Sequence, residues 1–356
     1  MSDKSLSNRR PHRPPTIRDV ATRAGVSPAT VSSVLTGVRP VADESRRLVQ
    51  DAVEALGFKV NHMASSLRRG KTRTVGLVLP NLANEFYASL VRHYEGHAAR
   101  SGYEVLVVAS GEDPAIEASR IESLIARRVD GLLVVAARDD FGAHPDFPKG
   151  MPPTVLVDRA FGHPGFDTIG SDNFGAGLKG CEYLLGLGHR DIAILVSDAD
   201  HNHLRDRVEG YRKGLAEAGL AARERVVIGG RTIEACRSAI EQELHRPDSP
   251  TAVFASTYFA TIGATKAIQA SGAAFPEEVS LLGFEHSEWM TAIRPYISTI
   301  SQPFDEMATD SWRILQARIV GTSDAMARIK LPCRLNIRES ARAPRLATMR
   351  KRSATV

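Results

Sequence analysis

The chain has 356 residues, of which 43% are hydrophobic and 24% are charged, a composition typical of a globular protein with a large core. It has no run of about 18 apolar residues, which excludes a membrane-spanning helix, and its polar N-terminus lacks the apolar segment of a secretory signal. Its three cysteines, Cys181, Cys236 and Cys333, lie far apart in the sequence. They predict neither a disulfide framework nor a zinc site, and they favour a reducing, cytoplasmic location.

The net charge of +5 is concentrated near the N-terminus. Residues 1–73 contain 14 basic and 6 acidic side chains, a net charge of +8, so the other residues together carry −3. Lysine and arginine displace the counterions condensed on nucleic-acid phosphates, so this asymmetry indicates binding to nucleic acid. A solvated basic surface without a partner is the alternative. Residues 1–15 contain Pro, Arg and Ser without periodicity and are predicted to be a disordered basic arm.

The segment from Thr16 to Gly37 contains two short helical patterns. The apolar residues of the first helix recur at helical spacing and are Ile17, Val20, Ala21 and Ala24. Gly25 then lets the chain turn sharply without steric cost. Ser27 is the expected N-cap of the second helix, and Pro28 occupies its first position, where the missing N–H is not needed.

The second helix is predicted to have a buried and an exposed side. Its buried residues are Val31, Val34 and Leu35, and its outward-facing residues are Pro28, Ala29 and Ser33. Two short helices joined by a glycine-containing turn form a helix-turn-helix, whose second helix can enter the major groove of DNA. An ordinary helical hairpin inside a larger core is the alternative.

A third helix is predicted from Asp43 to the stop signal Gly57, with acidic residues in its first turn. Its apolar residues are Leu48, Ala52, Ala55 and Leu56. The three helices would form a DNA-binding headpiece. The segment Asn61–Arg69 is long enough for one or two helical turns before Gly70, and residues 71–73 are a linker.

From residue 74 onward, apolar runs alternate with helical stretches. The predicted strands are Thr74–Pro80, Val105–Ser110, Gly131–Val135, Thr154–Val157, Ile192–Val196, Val226–Ile228, Ala252–Ala255 and Val279–Gly283. The predicted helices are Phe86–Gly102, Pro114–Arg128, Asp172–Leu187, Asp206–Ala218, Thr232–Leu244 and Tyr258–Ser271. This alternation predicts parallel sheets covered by helices on both faces. The strands are too many for one short sheet, so we expect an α/β core of two doubly wound lobes. Ligands of such sheets bind beyond the carboxyl ends of the strands, here in the cleft between the lobes.

Seven sequence segments carry a family resemblance. They are TIRDVATRAGVSPATVS at the helix-turn-helix, LRRGKTRTVGLV at the junction with the core, RRVDGLLV (Arg127–Val134), LGHRDIAIL (Leu187–Leu195), PTAVF (Pro250–Phe254), PEEVSLLGF (Pro276–Phe284) and STISQP (Ser298–Pro303). In this order they resemble the LacI/GalR family of transcription regulators, over about Thr16 to Ser340. The resemblance implies an N-terminal all-α helix-turn-helix headpiece, a hinge helix and a two-lobed core like the type I periplasmic binding proteins. It also implies a homodimer that binds a near-palindromic operator in double-stranded DNA.

The same resemblance divides the chain. The headpiece would span residues 16–60, the hinge helix and linker residues 61–73, and the effector-binding and dimerisation core residues 74–340. Lobe 1 would comprise about residues 74–171 and 303–331, and lobe 2 about residues 172–302 and 332–340. Residues 341–356 are expected to form a frayed basic tail.

Several headpiece residues match DNA-binding positions of the family. Pro28, Ala29 and Ser33 match the base-reading positions, and the other matched positions are Thr16, Ser27, Thr30, Asn61, Ser65 and Leu67. The side chains of Pro28 and Ala29 form no hydrogen bonds, so they can read only apolar features such as a thymine methyl. More of the specificity is therefore expected from DNA deformation.

Leu67 matches the hinge leucine that wedges into a central minor-groove step, with a plain core leucine as the alternative. Val60 stands where the family usually has proline, and Ser65 where it often has arginine. Both departures bear on how readily the hinge helix folds on DNA.

The positions that match the family's effector pocket are Phe86, Tyr87, Asp158, Arg159, Asp172, His201, His203, Arg207, Tyr258 and Glu285. Arg207 is the strongest candidate, because a fixed guanidinium suits an anionic or polar ligand. Asp172 could equally be a helix cap. The family often has aspartate at the positions of Tyr258 and Glu285, so a simple free sugar is disfavoured.

His201 and His203 lie in an HNH segment that could suggest a metal site. Two imidazoles displayed towards a cleft are the favoured interpretation, because no cysteine or third histidine completes a ligand set. No catalytic residue, metal or cofactor is predicted.

Two other functions compete with regulation. Gly175, Gly177 and Gly180 fit the G-x-G-x-x-G pattern, with Asp198 about 20 residues further on, so a dinucleotide-binding enzyme is one alternative. The same small residues can also let a helix lie close to a sheet. A solute-binding receptor is the second alternative, and it would need a signal peptide and no basic N-terminal region. We therefore expect a repressor rather than an enzyme, in which an effector changes lobe closure and so shifts the hinge helices between ordered and disordered states.

Overall fold

The computed structural model describes residues 15–36, 39–58, 71–198, 200–322 and 325–345. The predictions for the basic arm up to residue 14, for Gly37 and for the hinge segment with Val60, Asn61, Ser65 and Leu67 lie outside these ranges, as do residues 346–356 of the predicted tail. The chain divides into two units, Met1–Thr72 and Arg73–Val356.

Three helices form the described part of the first unit. They are α1 (Ile17–Ala24), α2 (Pro28–Thr36) and α3 (Asp43–Leu56). At the start of α1, the Thr16 N–H donates to the Asp19 carboxylate at 2.7 Å, and the Asp19 N–H donates to the Thr16 hydroxyl at 3.4 Å. Gly25 ends this helix at φ 67°, in the left-handed conformation that favours glycine. Ser27 caps α2 as predicted, because its Oγ accepts the Thr30 N–H at 3.1 Å.

The core of the first unit corrects the predicted apolar face of α3. The buried residues of this core are Val20, Ala21, Ala24, Val31, Val49, Ala52 and Phe58. Leu48 and Ala55, which the sequence pattern places on the apolar face, are exposed, whereas Val49 is buried and Leu56 is half-buried. Leu48 and Val49 are adjacent apolar residues, so helical spacing alone does not decide which of them faces the core.

The second unit alternates strands and helices in chain order. They are β1 (Thr74–Leu79), α4 (Glu85–Ser101), β2 (Glu104–Ala109), α5 (Pro114–Ala126), β3 (Gly131–Val134), β4 (Thr154–Val157), β5 (Asp167–Ser171), α6 (Asn173–Gly186), β6 (Ile192–Val196), α7 (Asn202–Glu217), β7 (Val226–Ile228), α8 (Ile233–Leu244), β8 (Ala252–Ala255), α9 (Tyr258–Ala270), β9 (Ser280–Phe284), β10 (Ser298–Ser301), α10 (Phe304–Val320), β11 (Arg328–Leu331) and β12 (Arg334–Asn336). None of the described helices has the length and apolarity needed to cross a membrane.

The strands form two six-stranded sheets, one in each lobe. The sheet of lobe 1 has the order β11-β5-β4-β3-β1-β2, and its neighbouring strands are parallel. The sheet of lobe 2 has the order β12-β10-β9-β8-β6-β7, with only β12 antiparallel. Separate apolar clusters cover the two faces of each sheet. The predicted fold class of two doubly wound lobes is confirmed.

The chain passes between the lobes three times, after Ser171, after Ser301 and after Leu331. Lobe 1 is therefore completed by α10 and β11, which follow most of lobe 2 in the sequence. Met307, Trp312 and Leu315 of α10 pack in the same apolar cluster as β1 and α4.

Two regions of lobe 2 differ from the sequence expectations. Helix α7 begins at Asn202, about one turn before the predicted start at Asp206. The expected fraying from Ala341 does not hold for the first residues, since Ala341 is buried and the Arg342 N–H donates to the Ser280 hydroxyl at 3.1 Å. The chain there lies along lobe 2.

Candidate functional site

The first turns of α1 and α2 border a hollow on the surface of the first unit. It is lined by Ile17, Arg18, Pro28, Ala29 and Ser32. Pro28 and Ala29 are exposed, as the sequence predicts, whereas Ser33 is half-buried. The hydroxyls of Ser27 and Thr30 lie 2.8 Å apart and are hydrogen-bonded to each other. The DNA contacts assigned to these residues stay a prediction.

A cavity of about 140 Å³ lies between the two lobes of the second unit. Polar lining residues directly follow the carboxyl ends of strands in both sheets. Asp158 and Arg159 follow β4, Asp198 lies two residues after β6, and Glu285 follows β9. The ends of parallel strands meet here, which is where open α/β sheets bind ligands.

Nine of the ten predicted effector residues line this cavity. They are Phe86, Tyr87, Asp158, Arg159, His201, His203, Arg207, Tyr258 and Glu285. Asp172 does not line it, and its carboxylate instead accepts the Gly175 N–H at 3.1 Å and caps α6. The cap interpretation of Asp172 therefore replaces its predicted place in the pocket.

The glycines of the G-x-G-x-x-G pattern also lie outside the cavity. A Cβ at Gly177 would overlap the backbone oxygen of Arg207, and one at Gly180 would lie 2.6 Å from the Phe254 ring. A Cβ at Gly175 would overlap the carboxylate of Asp172. Close packing inside lobe 2 thus explains each glycine, so the glycine pattern no longer supports the dinucleotide-binding alternative.

Arg159 is held in the cavity wall by a two-point ion pair. Its Nη1 and Nη2 donate to the two carboxylate oxygens of Glu112 at 2.6 and 3.2 Å. Burial opposes ionisation of Glu112, but the hydrogen bond and charge of Arg159 outweigh it and lower the pKa of Glu112. The Nε of Arg159 is buried without a hydrogen-bond partner.

Arg207 is fixed, as predicted, but largely by the protein itself. Its Nε donates to Asn173 Oδ1 at 2.9 Å, and its Nη1 donates to the Ser256 carbonyl oxygen at 2.6 Å. The guanidinium carbon lies 3.6 Å from the centroid of the Phe284 ring, within cation–π range. Burial lowers the pKa of Arg207, while an arginine stays charged in proteins. Arg207 therefore supplies a fixed positive charge to the wall.

Two buried carboxylates in the cavity have oxygens without partners. These are Asp158 Oδ1 and Glu285 Oε2. The other Glu285 oxygen accepts the Gln302 Nε2–H at 2.7 Å, and Gln302 Oε1 accepts the Ser171 hydroxyl at 2.6 Å. Burial raises the pKa of Glu285 to about 7 and also raises that of Asp158. Buried polar atoms are nearly always paired, so these two oxygens indicate a ligand whose polar groups hydrogen-bond to them.

The two predicted histidines lie side by side, with ring centroids 5.4 Å apart. Nδ1 of His201 is 3.0 Å from Asp198 Oδ1, and its Nε2 is 3.1 Å from the Ala137 carbonyl oxygen. Burial lowers the pKa of His203 well below its ordinary value. Within the described ranges, no three His, Cys, Asp or Glu side chains are grouped so that they could hold a metal ion.

Aromatic side chains line the cavity from both lobes. Phe86 and Tyr87 at the start of α4 have ring centroids 5.3 Å apart, and Tyr258 and Phe259 at the start of α9 have centroids 5.7 Å apart. Such rings provide flat apolar walls beside the polar groups, which is the usual composition of a small-molecule site.

Sequence reasoning missed ten lining residues. They are Asn81, Asn84, Glu112, Ser197, Asp198, Leu204, Arg231, Thr257, Phe259 and Gln302. Position was the signal available for some of them, since Ser197 directly follows the predicted strand Ile192–Val196. Gln302 lies within the STISQP segment, to which no strand was assigned.

Two family models match the chain. The family described as "Bacterial regulatory proteins, lacI family" matches residues 16–61. The family described as "Periplasmic binding proteins and sugar binding domain of LacI family" matches residues 72–310, which is more than half of the chain.

Curated proteins similar to this chain are regulators. The "HTH-type transcriptional repressor PurR" of Vibrio atlanticus is 30% identical over 311 residues, which cover 85% of this chain and 92% of that protein. The "Catabolite control protein A" of Priestia megaterium is 28% identical over 328 residues, covering 91% and 98%. The "HTH-type transcriptional repressor CytR" of Escherichia coli is 28% identical over 329 residues, covering 92% and 96%.

Two solved structures show the same architecture. The "transcriptional regulator CelR-cellobiose complex" has a TM-score of 0.67 at 29% identity, covering 92% of this chain and 100% of that one. The Lac repressor dimer bound to operator and the anti-inducer ONPF has a TM-score of 0.83 at 24% identity, covering 93% and 100%. At that lower identity the second likeness concerns the fold alone.

Proposed function

The chain belongs to the LacI family of bacterial regulatory proteins, and we propose that it is a repressor whose affinity for operator DNA is changed by a small molecule bound between its lobes. The observation that best supports this proposal is the cavity between the lobes, where buried oxygens of Asp158 and Glu285 have no hydrogen-bond partner. The proposed assembly is a homodimer on near-palindromic double-stranded DNA in the cytoplasm. Catalysis is not part of the proposal, because the similar proteins are regulators.

Helix α2 is the proposed reading helix. Ser27 caps it, and Pro28 and Ala29 project from its first turn. An N-capped helix with an exposed, small first turn can approach base edges closely, and its N-terminus attracts phosphate. Asn61, Ser65 and Leu67 carry the proposed hinge contacts, on the family resemblance alone.

A charge placed on α2 tests this role. Genomic fragments that bind the purified protein are selected and sequenced, and affinity for a selected duplex is measured by fluorescence anisotropy at fixed salt. We expect Ala29→Asp to weaken specific binding by more than about tenfold, because its carboxylate would face phosphates and base acceptors. An acidic residue in the first turn is compatible with the helix dipole, so the fold is retained.

Ala42→Asp is the matched control, since Ala42 is also an exposed alanine of the first unit but is the N-cap residue of α3, where aspartate is favoured. It should bind the selected duplex nearly as well as the parent. Equal losses in both variants, or none in Ala29→Asp, would contradict the assignment of α2.

The proposed effector is a small polar molecule with several hydrogen-bonding groups, such as a sugar derivative or a nucleoside. Asp158 and Glu285 would hydrogen-bond to its polar groups, the Arg159 Nε would donate to it, and the aromatic pairs would cover its apolar faces. Cellobiose in the CelR complex is a molecule of this kind.

Replacing one carboxylate tests the effector site. A panel of sugars, sugar phosphates and nucleosides is screened by thermal shift, and hits are measured by calorimetry. Asp158→Asn should weaken the best hit by about tenfold or more, because it removes the charge from a buried hydrogen bond. Asp158 has φ 66°, a backbone conformation that asparagine tolerates well, so the substitution preserves local structure.

The control is Asp172→Asn, which changes the same functional group outside the cavity and leaves a good helix cap. It should leave the affinity unchanged. A hit bound equally well by Asp158→Asn and the parent protein would remove Asp158 from the site.

A further inference from the structure

The His201 ring lies within hydrogen-bond distance of acceptors in both lobes. His201 immediately precedes α7 in lobe 2, and its side chain is only 6% exposed. One ring nitrogen faces Asp198 Oδ1 of the same lobe at 3.0 Å, and the other faces the Ala137 carbonyl oxygen of lobe 1 at 3.1 Å. A carboxylate and a carbonyl only accept hydrogen bonds, so both bonds form only when both ring nitrogens carry a proton.

A neutral imidazole has one N–H and can make only one of these two bonds. The competing partner of Nε2 is Arg159 Nη1, at the longer distance of 3.5 Å. That nitrogen already donates to Glu112 at 2.6 Å. A neutral His201 that accepted from Arg159 would also direct a lone pair at the Ala137 oxygen. The distances therefore favour the doubly protonated, positively charged ring.

We infer that His201 is a protonation-dependent latch that holds the two lobes together. When the proton leaves, the remaining N–H stays on Nδ1, facing the Asp198 carboxylate, since a charged acceptor gives the stronger bond. Nε2 then presents a lone pair to Ala137 O, and the attraction between the lobes at this point becomes repulsion. Imidazole is the side chain that exchanges its proton near physiological pH, so closure would weaken as the pH rises.

Other groups bear on this pH dependence. The charged and titratable groups around the ring are Asp198, Arg231, Glu112, Arg159, Asp158, His203 and Glu117. Burial opposes ionisation of Asp198, but its hydrogen bond and ion pair with His201 lower its pKa, so it stays a carboxylate. Glu117 of α5 accepts the Ala137 N–H at 2.6 Å, on the other side of the latched residue. Burial raises the pKa of Glu117 to about 7, so a Glu117 variant is needed to separate its contribution to the pH dependence.

Further bonds between the lobes involve no imidazole. The Asn202 N–H donates to Asp139 Oδ2 at 2.6 Å, and the Ser287 hydroxyl donates to Glu85. They would hold the lobes in register while the latch changes the strength of closure.

The test measures closure directly in the full-length protein. Ala143 of lobe 1 and Ala235 of lobe 2 are exposed, whereas the three native cysteines are buried, so Ala143→Cys and Ala235→Cys accept nitroxide labels selectively. Electron–electron resonance gives the distance distribution between about pH 5.5 and pH 8.5. We expect the short-distance population to fall by roughly threefold across this range. In His201→Gln, whose amide does not titrate, the distribution should not change with pH.

Two controls isolate the latch. His203→Gln removes the neighbouring imidazole, and Glu117→Gln removes the neighbouring acid, so both should keep the pH dependence. A pH-independent parent protein, or an unchanged dependence in a folded His201→Gln, would overturn the latch. The latch rests on the proposed function, in which closure responds to effector. Because this measurement uses neither DNA nor effector, its failure would leave the repressor proposal intact.

Discussion

Asp158 and Glu285 place their carboxylates in the cavity from left-handed backbone positions, with φ of 66° and 74°. Such positions are uncommon for residues other than glycine, cluster at functional sites and cost about 1–3 kcal/mol each. Each residue also keeps one buried oxygen without a partner. Strain and missing hydrogen bonds thus coincide at the two groups that the effector is proposed to contact.

The pKa of Glu285 has a consequence for stability. Burial raises this pKa from 4.5 to about 7, so the folded protein holds a proton that the unfolded chain releases. The stabilising contribution is fully present below pH 4.5 and is lost as the pH rises through about 7. We expect Glu285→Gln to reduce the fall in the free energy of unfolding between about pH 5 and pH 8 by on the order of 2 kcal/mol. Urea unfolding followed by tryptophan fluorescence at fixed pH values measures this.

Glu117 has a similarly raised pKa, so the variant should keep part of the slope. Glu288→Gln is the control, because Glu288 is an exposed carboxylate three residues away. It should reproduce the parent slope. A Glu285→Gln slope as steep as that of the parent would show that Glu285 is ionised throughout this range.

At the scale of elements, α6 and α7 pack with their backbones in close approach. A Cβ at Gly177 of α6 would overlap the Arg207 carbonyl oxygen, and one at Gly210 of α7 would overlap that of Phe174. Both obstacles are backbone atoms, which cannot move aside like the end of a flexible side chain. Arg207, whose backbone forms part of this contact, lines the cavity.

We predict that Gly177→Ala destabilises the second unit by about 3 kcal/mol or more, because the two helices must separate. Gly186→Ala, at the end of the same helix, has nothing within 4 Å of the added Cβ and should be neutral or stabilising by up to about 1 kcal/mol. Denaturant unfolding of both variants gives the comparison. A Gly177→Ala protein as stable as the parent would mean that α6 and α7 are not packed this closely.

Most elements could be predicted because their residues are locally consistent. Ser27 before Pro28 signals a helix start, and apolar runs such as Ile192–Val196 signal buried strands. β5 lacks such a run, because it begins with the charged residue Asp167. This carboxylate is buried in the fold, where it pairs with Arg318 (2.7 Å) and accepts the Ala327 N–H (2.7 Å). No local pattern reveals partners that lie about 150 residues away. The missed elements are β5, β10, α10, β11 and β12.

The residues of the candidate site could be predicted to a similar extent: a motif indicated some of them, and contacts made only in the folded chain define the others. Residues matched by family motif, such as Arg207, lie in the cavity, whereas Asp172 shows that an aspartate before a helix is as readily a cap. Glu112 was missed because its role depends on Arg159, which becomes its neighbour only in the folded lobe. Burial, pairing and the missing partners of Asp158 were likewise properties of the fold and not of the sequence pattern.

At the scale of the whole molecule, charge and architecture separate along the chain. The +8 of residues 1–73 falls almost entirely within the unit Met1–Thr72, and the body that contains the cavity carries a small negative charge. The proposed DNA attraction and the proposed effector recognition therefore fall in separate units.

Because the chain passes between the lobes three times, the parts of each lobe are synthesised at different times. Lobe 1 begins to emerge from the ribosome first, but α10, which covers its apolar cluster, and β11, which pairs with β5, are made only after most of lobe 2. The nascent first lobe therefore waits with an open sheet edge and an uncovered apolar face, both of which favour aggregation. A premature stop codon before Phe304 would consequently leave both lobes incomplete. Lobe 1 would lack α10 and β11 although most of its residues precede the stop, and lobe 2 would lack β12.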